Sequence, residues 1–105
     1  MSPLTVLRLH MTNDADPATR HRGALEMAEH ADGHGVTAVS GEEPHPAATG
    51  WPPSPLILAA ALAGLARNVR ISINALIVPL YDPVRLAEDV AVLDNLAQGR
   101  FGFVA

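Results

Sequence analysis

The feature that most constrains this chain is a capping residue followed by proline, which occurs three times: Asp16-Pro17, Ser54-Pro55 and Asp82-Pro83. Proline suits the first helical position, where its missing N–H costs nothing, and the preceding Asp or Ser oxygen can accept from the free amides of the first turn. Three helix starts are marked in this way. The spacing predicts helix one over 17–31 with Gly33 as its stop, helix two over 55–67, and helix three over 83–97 ending at Gly99. Helix one sets Ala24, Leu25, Ala28 and Ala31 on one face, and helix three sets Leu86, Val90, Leu93 and Ala97 on one stripe. Helix two is nearly all Ala and Leu and is expected to be largely covered.

Between and around these helices lie runs suited to strands: Leu4 to Leu9, Val36 to Ser40, Val69 to Val78, and Phe101 to the last residue. The third should end at or before Pro79, which cannot donate to a ladder. The order is β-α-β-α-β-α-β. Alternation of this kind predicts an α/β fold with parallel strands and right-handed crossovers. At 105 residues there is room for one domain only.

Composition narrows the function. The 49% apolar and 17% charged content is that of a globular chain with a core. The net charge of −4, with all seven bases arginine and no basic stripe, argues against nucleic acid as a partner. The absence of cysteine excludes disulfides, thiolate metal sites and a cysteine nucleophile. The opening MSPLTVLRLHM has no signal-peptide pattern, and the apolar run from Leu56 to Ala66 is too short to span a bilayer, so a cytoplasmic protein away from membranes is expected. No glycine-rich dinucleotide loop, phosphate loop, nucleophile elbow or His-x-x-x-His pair within one helix is present.

The longest connection, Gly41 to Ser54 (GEEPHPAATGWPPS), follows strand two and holds four prolines. In parallel α/β folds ligands bind at the C-terminal strand ends, so this is a candidate functional loop, or else a surface excursion stiffened by proline. His45 lies in it near Glu42 and Glu43, and an imidazole beside carboxylates suits general acid or base work. His10 follows strand one and could face the mouth of a sheet. His21, His30 and His34 sit on or just after helix one, where a structural role near the helix end is expected. Asn74-Ala75 in strand three either fits a crowded core or lets a flat ligand approach the backbone. Glu88, Asp94 and Arg100 are helix-face charges or a buried ion pair tying helix three to strand four.

The stretch INALIVPLYDPVRLAEDVAVLDNLAQGRFGF, Ile73 to Phe103, resembles the signature of the bacterial luciferase-like, flavin-dependent monooxygenase family. There a strand ending in proline leads through Asp-Pro-Val-Arg into a helix reading Ala-Glu-x-x-x-x-Leu-Asp, followed by Gly-Arg-Phe and the next strand. The resemblance implies a partial TIM-type (β/α)₈ barrel, here an N-terminal half-barrel fragment of one domain over 1–105, since a complete barrel takes about 250 residues. It implies FMN, or alternatively a deazaflavin, acting with a small organic substrate. It places Glu43 and His45 as catalytic residues, with Pro44 standing where the family has a histidine, and Asn74, Ala75 and His10 at the cofactor. In the family, a cis peptide at the position of Asn74-Ala75 packs behind the flavin ring. A half-barrel is further expected to form a homo-oligomer or to associate with a complementing half-barrel. The alternative is a catalytically inert interaction or structural protein, or a degenerate gene product.

Overall fold

A computed structural model describes residues 4–9, 16–42 and 54–105. Along the chain run β1 (Val6–Arg8), α1 (Pro17–Asp32), β2 (Ala38–Gly41), α2 (Pro55–Leu65), β3 (Arg70–Asn74), a 3₁₀ turn (Val78–Leu80), α3 (Pro83–Ala97) and β4 (Phe101–Val104). The four strands form one parallel sheet in the order β1-β2-β3-β4. This is the α/β architecture expected from the alternation of elements.

All three helices begin at the prolines that mark them. Asp16 Oδ1 accepts from the Thr19 N–H at 3.1 Å, and Asp82 Oδ1 accepts from Val84 and Arg85 at 2.9 and 3.1 Å. Ser54 departs from the pattern, since its side chain makes no cap bond and proline alone opens α2. Helix α3 ends as expected, with Gln98 and Gly99 both at positive φ (52° and 80°) to turn the chain into β4.

Register divides the strand residues into two sets. Leu7, Val39, Ile71 and Phe101 share one row and Ile73 and Phe103 the next; Leu9, Val39, Ile71 and Ile73 are buried against the helices with Ala24, Ala28, Leu62, Leu93 and Ala97. The alternate residues form the opposite face: Val6, Ala38 and Arg70 in one row, Arg8, Ser40, Ser72 and Gly102 in the next, then Asn74 and Val104. The first face makes the core, and the second is left for other work.

Three expectations are corrected. Helix α2 stops at Leu65 and is covered on one side only, with Ile57 72% exposed and Ala61 and Gly64 also turned outward. Its small, uniformly apolar residues give no polar face, so periodicity could not show which side packs. Neither Glu88 nor Asp94 pairs with Arg100; both are exposed, and Arg100 Nη1 instead donates to the Val69 carbonyl at 2.9 Å. Strand β3 also ends at Asn74, well before Pro79, which lies in the 3₁₀ turn.

Candidate functional site at the C-terminal strand ends

The helix-free sheet face changes character along the strands. Its lower row mixes Val6 and Ala38 with Arg70, whereas its upper rows bring together Arg8, Ser40, Ser72 and Asn74, four polar side chains from three strands. Small residues dominate this face: Ala38, Ser40, Ser72 and Gly102 leave a shallow hollow of about 290 Å³. A Cβ placed on Gly102 would meet no atom within 4 Å, so the floor there is open.

Two polar contacts organise the upper end. Arg8 Nε donates to Glu42 Oε1 at 2.6 Å and Arg8 Nη2 reaches the same oxygen, joining the end of β1 to the residue after β2. Ser72 Oγ donates to Asn74 Oδ1 at 2.9 Å. An amide has one carbonyl oxygen and one NH₂, so this bond leaves the NH₂ of Asn74 as a donor at the mouth of the sheet. The Asn74–Ala75 peptide bond is cis, and both residues are exposed. Beyond it the chain turns back under the sheet end, where the Leu76 N–H donates to Val104 O at 2.7 Å and the Leu76 side chain is buried.

The structure therefore brings Asn74 and Ala75 to the C-terminal strand ends, beside Ser72 and Ser40. His10, Glu43 and His45 lie outside the described residues. The Arg8–Glu42 pair was not anticipated, because it depends on the β1–β2 register; so does the row linking Ser40 and Ser72. Of the other histidines, His30 and His34 are exposed and stack with ring centroids 4.0 Å apart, and His21 is half-buried. Among the described residues no group of three or more His, Cys, Asp or Glu could hold a metal ion. Among the same residues, no helix is long and apolar enough to cross a membrane.

A flat floor of small residues and an oriented amide donor at the strand ends fit one face of a planar ring ligand. The architecture is that of parallel α/β proteins whose ligands sit at the carboxyl ends of the strands. The luciferase-like monooxygenase family model matches residues 4–105, and the chain belongs to that family.

Among relatives, the chain is 28% identical over 97 residues to the oxygenase component of flavin-dependent trigonelline monooxygenase of Acinetobacter baylyi, covering 90% of this chain and 27% of that one. Among solved structures, monooxygenase RslO1 from Streptomyces bottropensis superposes with a TM-score of 0.87 at 28% identity, covering 95% of this chain and 32% of that one. The oxygenating constituent of 3,6-diketocamphane monooxygenase from Pseudomonas putida, solved with FMN, shares the fold with a TM-score of 0.87 at 23% identity, covering 97% of this chain and 29% of that one. The chain thus spans between about a quarter and a third of the length of these three proteins.

Proposed function

We propose that this chain is the flavin-binding portion of a flavin-dependent oxidoreductase that uses reduced FMN and molecular oxygen on a small organic substrate in the cytoplasm. The observation that carries this reading is the placement of the Asn74 amide at the open, small-residue end of the sheet in a chain of this family. FMN, when bound, supplies the activation of dioxygen; the protein supplies binding, orientation and exclusion of water.

Ser40, Ser72 and Gly102 would line one face of the ring's site, and the Asn74 NH₂ would offer it a hydrogen-bond donor. Ser72 holds the Asn74 amide in the orientation that makes this possible. His45 moves a proton as acid or base with Glu43 nearby in sequence, and His10 lies at the cofactor; these roles come from the family resemblance. Residues 1–105 act as one domain and work in association, either as a homo-oligomer or with a complementing half-barrel. A deazaflavin in place of FMN is the variant of this reading with the same site.

The test is titration of the purified chain with FMN, read by absorbance and by quenching of flavin fluorescence. Saturable binding near about 1 μM is expected, equivalent to roughly −8 kcal/mol. No binding at several hundred micromolar overturns the reading and leaves the inert interaction protein, which Pro44 favours because it brings no proton-transfer group to that position. His45→Ala is expected to abolish turnover and to spare FMN affinity; equal loss of both assigns His45 a structural role.

A further inference from the structure

Side chains four residues apart meet on one side of a helix, and His30-Ala31-Asp32-Gly33-His34 carries such a pair across the end of α1. The helix stops at Asp32, but the turn continues. The Gly33 N–H donates to the His30 carbonyl at 3.3 Å and the His34 N–H to the Ala31 carbonyl at 3.1 Å, which tightens the chain to i→i−3 bonding. His34 is thereby carried back over His30. The two imidazoles stack with centroids 4.0 Å apart and planes 13° from parallel, and both residues are exposed.

A bond to the backbone decides which ring nitrogens are left over. His34 Nδ1 lies 2.5 Å from the His30 carbonyl oxygen. A carbonyl only accepts, so Nδ1 carries the proton, and in the neutral ring Nε2 keeps the lone pair. A metal-ligating histidine is prepared in this way, with its second nitrogen anchored to a carbonyl or carboxylate. Capping of a helix-end carbonyl accounts for the His34 ring alone. The His30 ring makes no hydrogen bond among the described residues and only stacks on its neighbour.

Spacing and charge both suit a cation. Two zinc–nitrogen bonds of about 2.0–2.1 Å at the tetrahedral angle set their nitrogens about 3.4 Å apart. Rings whose centroids stand 4.0 Å apart are within about 0.6 Å of that spacing. The carbonyl end of α1 carries partial negative charge, and the exposed carboxylates of Glu26 and Glu29 lie on its last turns, where His30 is the basic residue. The Asp32 carboxylate is already engaged by the N–H groups of Arg67, Asn68 and Val69.

We propose that His30 and His34 form a two-imidazole site for a late first-row divalent cation of the zinc, nickel and copper class, the metals that imidazole suits. Water completes the coordination, since no three-residue ligand cluster exists among the described residues. Both ligands come from one five-residue segment, so the site rests on α1 and its exit turn alone and stands whether or not the chain binds FMN. A bound cation clips the chain on both sides of Asp32, the residue that fastens α1 to the segment entering β3. Metal loading therefore stabilises the N-terminal end of the sheet.

The probes are zinc chloride, nickel chloride and magnesium chloride, titrated calorimetrically into EDTA-treated and dialysed chain at about pH 7.5, where ligating imidazoles are neutral. Zinc and nickel are expected to bind with Kd near about 10 μM, and magnesium, which takes oxygen ligands, to show no binding up to about 10 mM. Zinc at a hundredfold excess over Kd is expected to raise the melting temperature by at least about 5 °C. His30→Phe keeps a stacked ring and removes the ligand nitrogens, so its metal-free melt should match the parent while zinc affinity falls at least about tenfold. His34→Ala should lose as much, and His21→Ala, near the start of α1, should bind like the parent. In nitrogen NMR, zinc is expected to move the Nε2 resonance of His34 and to leave its Nδ1 protonated. No zinc binding below about 1 mM, magnesium binding as tightly as zinc, or a zinc affinity within about twofold of the parent in either His30→Phe or His34→Ala overturns the proposal.

Discussion

The two ends of the sheet use similar polar chemistry for opposite purposes. At the N-terminal end, the Asp32 carboxylate accepts from the N–H groups of Arg67, Asn68 and Val69 at 2.9, 2.8 and 2.9 Å, fastening the last turn of α1 to the segment that enters β3. Arg100 adds a bond to the Val69 carbonyl beside it. At the C-terminal end the contacts are Arg8 with Glu42 and Ser72 with Asn74, each between exposed or half-buried side chains, and the Asn74 NH₂ is left over. The lower end spends most of its donors and acceptors on holding the chain together, the buried Arg100 Nε excepted. The upper end keeps some in reserve, as a binding surface must.

If this contrast is right, the largest stability effect should come from Asp32. Asp32→Ala strands three backbone donors and is expected to cost about 2 kcal/mol, the scale of hydrogen bonds to a charged acceptor. For a chain of this size, that is roughly 10 °C in a thermal melt followed by circular dichroism. An effect under a quarter of this would break the comparison.

The same carboxylate gives the lower end a pH dependence. Burial pushes its pKa up, but the backbone N–H groups of Arg67, Val69 and Asn68, together with the charge of Arg100, hold it below the usual aspartate range. A group depressed in the folded state contributes stability above its unfolded pKa and loses it as pH falls through the folded one. Urea midpoints should therefore drop below about pH 4 in the parent chain, and this part of the drop should vanish in Asp32→Asn.

Arg100→Leu comes next, at about 1 kcal/mol for one lost bond to a carbonyl, while Glu88→Ala and Asp94→Ala should leave the monomer's stability within about 0.5 kcal/mol. A loss of several kcal/mol at Arg100 would restore the buried ion pair in place of the bond to the Val69 carbonyl. At the upper end, Asn74→Ala should leave the melt unchanged and weaken FMN binding about tenfold, with Ser72→Ala acting in the same direction and less strongly. A melt that moves with Asn74 would place this residue among the structural groups. The smallest effect belongs to Arg8→Ala, within about 0.5 kcal/mol, because exposed ion pairs contribute little.

How much of this was legible in the sequence depended on how local the cause was. Pro17 and Pro83 open their helices because a cap and a ring act within one turn, Pro55 opens α2 by its ring alone, and the α/β order follows from elements each readable alone. The end of α2 was not readable. Arg67, Asn68 and Val69 give their amides to Asp32, which lies on another helix, so the helix stops at Leu65, two residues short of the expected Arg67. Arg100 likewise finds the Val69 carbonyl across the sheet instead of a carboxylate on the preceding helix. At the site, Asn74 and Ala75 could be singled out by resemblance, whereas Arg8, Ser40 and Ser72 became neighbours only once three strands were set in register.

That register also governs how such a protein can change. Because neighbouring strand positions face opposite ways, one extra residue early in β3 would carry Ser72 and Asn74 in among the helices and expel Ile71 and Ile73 into water. Variation in the pocket floor must therefore proceed by exchange of side chains at constant strand length.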